Sequence, residues 1–346
     1  MAYISFQPND YFNTKLYTGT GAENAVTGVG FQPDFTWLKN RATTNHHTLF
    51  DAVRGANKVI YSNLNAQEYT VTQELKSFDS DGFTVGTEAS ANGNGNGIAS
   101  WNWKANGAGS SNTDGSITST VSANTTSGFS IVTYTGTGAN ATIGHGLGSA
   151  PSVVICKQLN ATQQWINYHN GIGATKYLHL NDASAAATSS TVWNDTEPTS
   201  SVFSVGTAVN CNGSGNTYIA YCFAEKTGFS KFGSYVGNGN VNGAFIYTGF
   251  KPKFVMTKYS SGGGTGGWLM YNGGLNTVNK DQFFHTEANT SAAWVDNTDR
   301  VDFLSNGFKF RDSTNGDSNT NGGTYIYMAF AEAPLVGSNN VPATAR

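Results

Sequence analysis

Few residues in this sequence have the types and spacing that metal binding or catalysis requires. The histidines form no HExxH motif or other ligand spacing, and only His46 and His47 are adjacent. His169 and His179 are predicted to meet on neighbouring strands, where a metal site and a structural role are the alternatives. No nucleophile elbow, phosphate-binding loop or Cys/His pair occurs. The pattern favours structural or surface histidines.

One short run resembles the start of a calcium-binding loop. Asp79 and Asp81 flank a serine and precede Gly82. The twelfth position counted from Asp79 is Ser90, where such a loop needs an acid. An ordinary turn explains the same residues. Asp79 and Asp81 are therefore weak calcium candidates, and the sequence predicts no bound metal and no cofactor.

A glycan-degrading enzyme would need two acids about 5–10 Å apart. The candidate pairs are Asp195 with Glu197 and Asp296 with Asp299. They are loop acids in a chain with only 12% charged residues, about half the usual share. The chain contains a pattern that occurs three times, described below, and no acid or histidine recurs in all three copies. The sequence therefore predicts no catalytic residue and no enzyme activity.

Asparagine, glycine and tryptophan supply a different chemistry, suited to binding glycans. Amide groups hydrogen-bond hydroxyls and aromatic faces stack on sugar rings, although each tryptophan could instead fill the core. The Asn/Gly tracts are predicted to be loops. The predicted ligand-binding residues are Asn92, Asn94, Asn96, Trp193, Asn212, Asn216, Trp294, Asn315, Asn319 and Asn321.

These tracts belong to a pattern that occurs three times. Tyr17-Thr-Gly-Thr-Gly21 recurs from Tyr134 and again, as Tyr-Val-Gly-Asn-Gly, from Tyr235. Each copy is followed by a proline, a lysine six positions later, a short aromatic segment, a phenylalanine, an Asn/Gly tract and an apolar closing strand. The proline–lysine pairs are Pro33/Lys39, Pro151/Lys157 and Pro252/Lys258. Low complexity alone does not keep such landmarks in register.

Each recurring lysine is predicted at the end of a strand whose entry is marked by the recurring proline. Proline is tolerated at a strand entry because its missing N–H breaks no ladder hydrogen bond there. We expect each lysine to keep its ammonium in water or to guard a sheet edge, with a repeated ligand contact as the alternative. The closing strands, such as Tyr218 to Glu225, are apolar on both alternating sets of residues. That pattern predicts strands covered on both faces.

The repeats predict an all-β fold made of three tandem homologous antiparallel β-sandwich modules. The expected boundaries are a lead-in or attachment segment at 1–16, repeats at 17–108, 109–228 and 229–334, and a polar tail at 335–346. The second repeat is expected to begin with a polar linker, within Asn106 to Ser127. Tyr3, Phe6, Tyr11 and Phe12 are the expected attachment residues.

Composition excludes several classes of protein. Low charge with 42 glycines among 346 residues argues against helix bundles, and 13% aromatic residues argue against disorder. A net charge of −3 gives no sign of the basic surface that binds nucleic acid, and no apolar run is long enough for membrane insertion. No secretory signal is recognisable at the start. Cys156, Cys211 and Cys222 are expected to be buried and unpaired.

The sequence resembles a known family at these recurring motifs. The runs GFSIVTYTGTGANATIGHGLGSAPSVVICK (128–157), SGNTYIAYCFAEKTGFSKFGSYVGNGN (214–240), YTGFKPKFVMTK and GGTYIYMAFAEAP are similar to repeated modules of tailed-phage virion proteins of the marine type. The resemblance covers about residues 15 to 334. It implies a virion structural or tail-fibre-like protein with lectin-like or jelly-roll-like β-sandwich modules, and it brings no catalytic residues. It also implies a location on the virion, exposed on the particle.

Three functions follow as expectations. The first is a non-enzymatic appendage or tail-fibre-like adhesin that binds host-surface glycan. The second is a capsid decoration, cement or tail-joining protein without a ligand, and the third is a glycan-degrading enzyme. The expected partners are other virion proteins, further copies of the chain in a homo-trimer, and host glycan. Repetition would add avidity to weak sites.

Overall fold

The computed structural model describes residues 6–273, 282–313, 316–336 and 342–343. Antiparallel strands dominate it and the helices are single turns, which confirms the all-β prediction. Tyr3 and Asn315, both predicted functional residues, lie outside the described residues. Within the described part of the chain, no helix has the length and apolarity needed to span a membrane.

The strands fall into three consecutive segments: segment 1 (residues 12–103), segment 2 (110–223) and segment 3 (230–331). Segment 1 contains nine strands. They are β1 (Phe12–Thr18), β2 (Asn24–Thr27), β3 (Phe35–Asn40), β4 (Thr48–Asp51), β5 (Lys58–Tyr61), β6 (Tyr69–Thr70), β7 (Leu75–Asp79), β8 (Gly82–Val85) and β9 (Gly97–Trp103). A 3-10 turn (Pro8–Asp10) precedes β1, and the helical turn α1 (Ala89–Asn92) precedes β9. The large sheet has the order β1-β9-β3-β4-β5-β6, and β2-β8-β7 form a second layer.

Segment 2 contains ten strands. They are β10 (Ser110–Asn112), β11 (Ser119–Asn124), β12 (Phe129–Thr135), β13 (Ala141–Gly144), β14 (Val153–Gln158), β15 (Ile166–His169), β16 (Lys176–Tyr177), β17 (Ala187–Thr188), β18 (Val202–Val205) and β19 (Thr217–Phe223). The turns α2 (Ser190–Trp193) and α3 (Val209–Asn212) flank β18. The large sheet has the order β10-β11-β12-β19-β14-β15, with β13-β18 and β16-β17 as separate pairs.

Segment 3 forms one eight-stranded sheet of order β20-β27-β22-β23-β24-β25-β26-β21. Its strands are β20 (Ser230–Val236), β21 (Phe245–Tyr247), β22 (Pro252–Ser261), β23 (Trp268–Asn272), β24 (Gln282–Glu287), β25 (Val295–Leu304), β26 (Gly307–Phe310) and β27 (Thr324–Ala331). A terminal pair, β28 (Leu335–Val336) with β29 (Pro342–Ala343), follows.

The same four-strand order occurs in all three segments: β1-β9-β3-β4, β12-β19-β14-β15 and β20-β27-β22-β23. Registers agree as well. The residue two positions after the recurring proline pairs with the large aromatic residue of the closing strand, as Phe35 with Trp103, Val153 with Phe223 and Phe254 with Phe330. Homology between the three segments stays a prediction.

Each large sheet is covered on both faces. The outer faces pack on separate cores, one for each segment. The inner faces of all three sheets converge on one shared core that includes Trp101, Trp103, Tyr221, Phe223 and Phe330. Phe35 and Tyr221, from two different segments, stack with ring centroids 4.2 Å apart. The segments are therefore joined through a common interior, and the prediction of closing strands covered on both faces is confirmed.

Two boundary predictions need correction. The polar stretch expected to be a linker instead supplies β10 and β11, which pair with each other and with β12. Residues 12–16, expected in the lead-in, belong to β1 because they continue its pairing with β9.

The predicted attachment residues that the structure describes pack on the same shared core. Phe12 is buried, with its ring centroid 4.9 Å from that of Trp103 in segment 1 and also 4.9 Å from that of Phe330 in segment 3. Phe6 and Tyr11 are half-buried, and Phe6 packs edge-on against Phe229. Buried rings cannot serve an external partner, so Phe12 is wrong as an attachment residue, and Phe6 and Tyr11 pack largely on the protein itself.

Backbone hydrogen bonds join the segments in a closed ring. Glu68 N–H of segment 1 donates to Leu159 O of segment 2 (2.8 Å), and Ala186 N–H of segment 2 donates to Ser260 O of segment 3 (2.9 Å). Trp294 N–H of segment 3 donates to Arg41 O of segment 1 (3.0 Å). Each acceptor lies two residues after a recurring lysine. The contacts are thus equivalent, and they run from segment 1 to 2, from 2 to 3 and from 3 to 1.

The recurring lysines are fully buried at this ring, so the expectation of wet ammonium groups is wrong. Lys39 Nζ donates to Ser291 O of segment 3 (2.8 Å), and Lys157 Nζ contacts Asn65 O of segment 1 (3.4 Å) and Gln158 O (2.7 Å). Lys258 Nζ donates to Gly266 O. Burial lowers the pKa of each lysine to about 8.

Replacing a buried lysine should change stability in a pH-dependent way. The pKa of Lys157 is about 8 in the folded protein and 10.5 in the unfolded chain. Between these values the unfolded chain binds more protons, so this contribution to stability rises with pH. Relative to Lys157→Met, the wild type should gain up to about 2 kcal/mol of unfolding free energy from pH 7.5 to 9.5, measured by urea denaturation. Lys76→Met, at a partly exposed side chain, is the control. A wild-type-minus-variant difference that stays flat with pH would contradict the assignment.

Candidate ligand-binding groove

A groove opens between segments 1 and 2, where the β10–β11 hairpin extends the inner face of the segment 2 sheet beyond the shared core. Its volume is about 450 Å³, within the range of about 300–1,000 Å³ for small-molecule sites. The hairpin, β12 and β19 form the floor, and Arg54, Glu68 and Leu159 stand beside it. The order of strands in segments 1 and 3 includes no such hairpin beside β1 or β20.

Hydroxyl groups line the floor in two rows that cross the strands. In the first row, Ser111 pairs with Thr120 and Thr120 pairs with Thr133. In the second row, Thr135 pairs with Thr217. Thr118 immediately precedes β11 and lies level with Thr135, since the next residues, Ser119 and Tyr134, are paired.

The sheet geometry fixes the spacing of these rows. Paired residues point to the same face, and neighbouring strands lie roughly 4.8 Å apart, while residues two positions apart along a strand are separated by roughly 6.8 Å. Thr133 is also paired with Ile219, which packs in the shared core, so the rows continue the inner face. Among the described residues, none donates to or accepts from these six hydroxyls, which leaves their hydrogen-bonding capacity for solvent or ligand.

A buried ionic network builds the wall of the groove. The Asp51 carboxylate accepts from the backbone N–H groups of Val53 and Arg54, which fixes the turn after β4. Arg54 Nε donates to Asp51 (2.6 Å) and Arg54 Nη1 to Glu68 (3.2 Å). The Tyr221 hydroxyl of segment 2 donates to the same Asp51 carboxylate (2.9 Å). The wall thus belongs to both segments.

The charges of this network balance one another. Burial by itself would lower the pKa of Arg54, but Asp51, Tyr221 and Glu68 raise it, so the guanidinium stays protonated. Its third nitrogen, Nη2, lies within hydrogen-bonding distance of Leu49 O and the Tyr221 hydroxyl. The other Glu68 oxygen pairs with Lys58 (3.4 Å). A ligand in the groove therefore meets hydroxyls beside a neutralised ion network.

The predicted asparagines divide into buried and exposed ones. Asn92, Asn212 and Asn319 are buried at equivalent places, where each side chain holds its Tyr-x-Gly-x-Gly turn. Asn92 accepts from Thr20 N–H (2.8 Å) and donates to Gly86 O (2.6 Å). Asn212 and Asn319 bind their own turns in the same manner. Because both ends of these amides are occupied, the prediction that they bind a ligand is wrong.

Among the remaining asparagines, Asn94 and Asn321 are exposed, and Asn96 and Asn216 are half-buried. All four lie in the Asn/Gly turns, and none of them lines the groove. Asn216 immediately precedes Thr217 of the second hydroxyl row and accepts from the Asn160 amide at 3.4 Å. The role of all four in binding stays a prediction.

The two predicted tryptophans pack inside the protein. Trp193 is buried against Tyr168 in the segment 2 core, so it cannot stack on an external sugar and that prediction is wrong. Trp294 is half-buried and stacks on Trp101, with ring centroids 6.3 Å apart and the Arg41 guanidinium 5.2 Å from its ring. Trp294 packs at a contact between segments 3 and 1, whereas Trp193 fills the segment 2 core, the alternative that the sequence also offered.

The candidate metal and acid sites are occupied by local structure. Asp81 accepts from Gly28 and Gly30 N–H groups, which lower its pKa, and Asp79 accepts from the Ser77 and Thr84 hydroxyls. No cluster of His, Cys, Asp and Glu suited to a metal occurs within the described ranges. The calcium assignment to Asp79 and Asp81 is therefore unsupported, since the turn uses their oxygens.

His169, His179 and Glu197 likewise have partners within the protein. His169 Nε2 is 3.0 Å from Tyr327 O, and burial lowers its pKa to about 4, whereas His179 contacts Asp182 (2.8 Å). Glu197 accepts from Ala174 N–H and the Tyr168 hydroxyl. The side chains of 296 and 299 lie outside the described residues. The three cysteines are buried and free, as expected.

Sequence reasoning missed the groove because its residues carry no motif. The available signal is the abundance of Ser and Thr from Ser110 to Thr120, a stretch predicted to be a linker. In a strand every second side chain points to the same face, so that Thr118 and Thr120 share one. The wall could not be predicted in this way, because Tyr221 and Asp51 are 170 residues apart in the sequence and only the fold brings them together.

Comparison with known proteins places the chain in one family. A family model described as a domain of unknown function, DUF7483, matches residues 7–334. The chain therefore belongs to the DUF7483 family. No curated protein and no solved structure matches.

The buried asparagines should prove structural when replaced. Asn92→Ala removes the partners of Thr20 N–H and Gly86 O, and should lower the free energy of unfolding by about 3 kcal/mol. Asn94→Ala, two residues away and exposed, should change it by less than about 0.5 kcal/mol. Urea denaturation measures both. Equal small effects would show that the amide of Asn92 does not hold the turn.

Proposed function

We propose that this member of the DUF7483 family is a non-enzymatic phage virion protein, an exposed appendage or tail-fibre-like adhesin that binds host-surface glycan. The observation that carries the proposal is the groove with its six uncommitted hydroxyls. Such a surface hydrogen-bonds ligands that themselves present many hydroxyls. The family resemblance of the recurring motifs supports the virion setting.

Two features support a binding role rather than catalysis. The charged groups beside the groove are tied into one network, in which the Arg54 guanidinium bridges Asp51 and Glu68. General acid–base catalysis needs a titratable group free to exchange a proton with a substrate. The shared core also makes the groove a rigid surface, since its floor and wall come from segments that pack together.

The arrangement suits adhesion through many copies. Each copy of the chain carries this groove, and we expect hydroxyl-mediated binding at a single groove to be weak. Linking weak sites raises avidity by about 10²–10⁴ when geometry allows. A homo-trimer, alongside contacts with other virion proteins, is the proposed assembly.

A second candidate function is capsid decoration, cement or tail joining without a ligand. Exposed apolar side chains in segment 3 favour it: Val236, Val241, Phe245 and Tyr247. Phe245 and Tyr247 lie on the edge strand β21, and exposed apolar surface of this kind is typical of protein contacts.

Filling the groove should separate the two functions. Thr133→Tyr keeps a good strand residue but places a ring over the hydroxyl rows, and should weaken binding to immobilised bacterial surface polysaccharides by about tenfold or more. Thr27→Tyr, on the exposed strand β2, is the matched control and should bind as the wild type does. The measurement is biolayer interferometry against a panel of such polysaccharides.

Two results would contradict the adhesin proposal. One is wild-type protein that binds no member of a panel prepared from susceptible host cells. The other is undiminished binding by Thr133→Tyr. Either would leave decoration or tail joining as the better account.

A further inference from the structure

This inference rests on the proposed function and concerns which class of glycan the groove binds. Its two hydroxyl rows, Ser111/Thr120/Thr133 and Thr118/Thr135/Thr217, are formally uncharged. The charged residues that line it are Arg54 and Glu68, which pair with each other. We propose that the groove binds a neutral, polyhydroxylated chain, an uncharged polysaccharide segment, and discriminates against acidic glycans.

The charged groups at the wall of the groove disfavour an acidic ligand. A carboxylate or sulfate on a ligand must exchange its water shell for strong donors, usually Arg, Lys or backbone N–H groups. Each nitrogen of the Arg54 guanidinium already donates to Asp51, Glu68 or Leu49 O. An anion entering here would also approach the Glu68 carboxylate. The wall therefore offers no uncommitted cation and adds repulsion.

The hydroxyl rows fit a neutral sugar chain for a complementary reason. A threonine hydroxyl both donates and accepts, so it can match either role of a sugar hydroxyl without a change of charge. The rows repeat at roughly 4.8 Å across strands and roughly 6.8 Å along them. A regular array of this kind presents several partners to a ligand whose own hydroxyls recur along a chain.

The apolar parts of the floor serve the other face of a sugar. Each threonine carries a methyl group beside its hydroxyl, and Leu159 lines the same groove half-buried. Sugar rings have C–H faces that pack on such carbons, while their rim hydroxyls reach the rows. Thr120 and Thr133, the paired and half-buried threonines of the first row, are the residues expected to determine specificity.

The test compares neutral and acidic probes with the complete chain. Dextran, mannan and cello-oligosaccharides are the neutral probes, and alginate, hyaluronan and polysialic acid are the acidic ones. The proposal predicts binding to at least one neutral probe, at least about tenfold tighter than to any acidic probe. Raising salt from 50 to 500 mM should change that affinity less than about twofold, because no ion pair forms.

A double substitution, Thr120→Val with Thr133→Val, removes two hydroxyls and keeps shape and strand propensity. It should weaken neutral-probe binding about tenfold, each hydroxyl supplying part of the loss. Thr27→Val on β2 is the control, and thermal unfolding confirms that both variants fold.

The outcomes separate this inference from the proposed function. Binding of acidic probes alone, or binding that falls more than tenfold with salt, overturns the neutral-ligand inference and leaves the adhesin proposal standing. Failure of every probe, together with failure of host-cell polysaccharide, overturns the adhesin proposal and this inference with it. Full binding by the double valine variant overturns the assignment to the hydroxyl rows.

Discussion

Every major feature of this protein depends on one constraint: its three large sheets are apolar on both faces, so each sheet must be covered twice. The outer faces are covered within each segment, by a second layer or by the continuation of the same sheet. The inner faces have only one another, and they close on a shared core of tryptophan, phenylalanine, tyrosine and methionine. Burial of such rings is worth about 1.5–3 kcal/mol each. Association of the segments is therefore part of folding.

Packing of the three sheets on the shared core determines the structural role of the recurring lysines and asparagines. The recurring lysines are buried two residues before the backbone contacts between segments, where their ammonium groups satisfy backbone carbonyls. Buried asparagines fasten the turns that precede the closing strands. Residues that repeat in all three segments thus serve the common architecture. The groove arises instead from a hairpin present in one segment, which agrees with the idea that binding sites are added to a scaffold.

The sequence allowed part of this to be predicted. Turn chemistry and β-branched, aromatic runs predicted the strands and the all-β class, and double-sided apolarity in Tyr218 to Phe223 predicted coverage on both faces. Because alternation does not say what covers a face, the shared core was not foreseen. Lys39 was expected in water since a charged side chain is rarely buried, and its carbonyl partners, which include Ser291 O of the neighbouring segment, are brought together only by the fold. Asn92 and Trp193 have side chains suited to ligands, but burial, a tertiary property, removes them from reach.

The central claim is that the three segments fold as one unit around the shared interior, and differential scanning calorimetry tests it most directly. A single unit predicts one endotherm whose calorimetric enthalpy equals the van't Hoff enthalpy. A substitution in the shared core, such as Tyr221→Ala, should lower the temperature of the whole transition and leave it single. Two or three separable transitions, with only the one for segment 2 displaced by that substitution, would show independent modules joined by linkers and contradict this account.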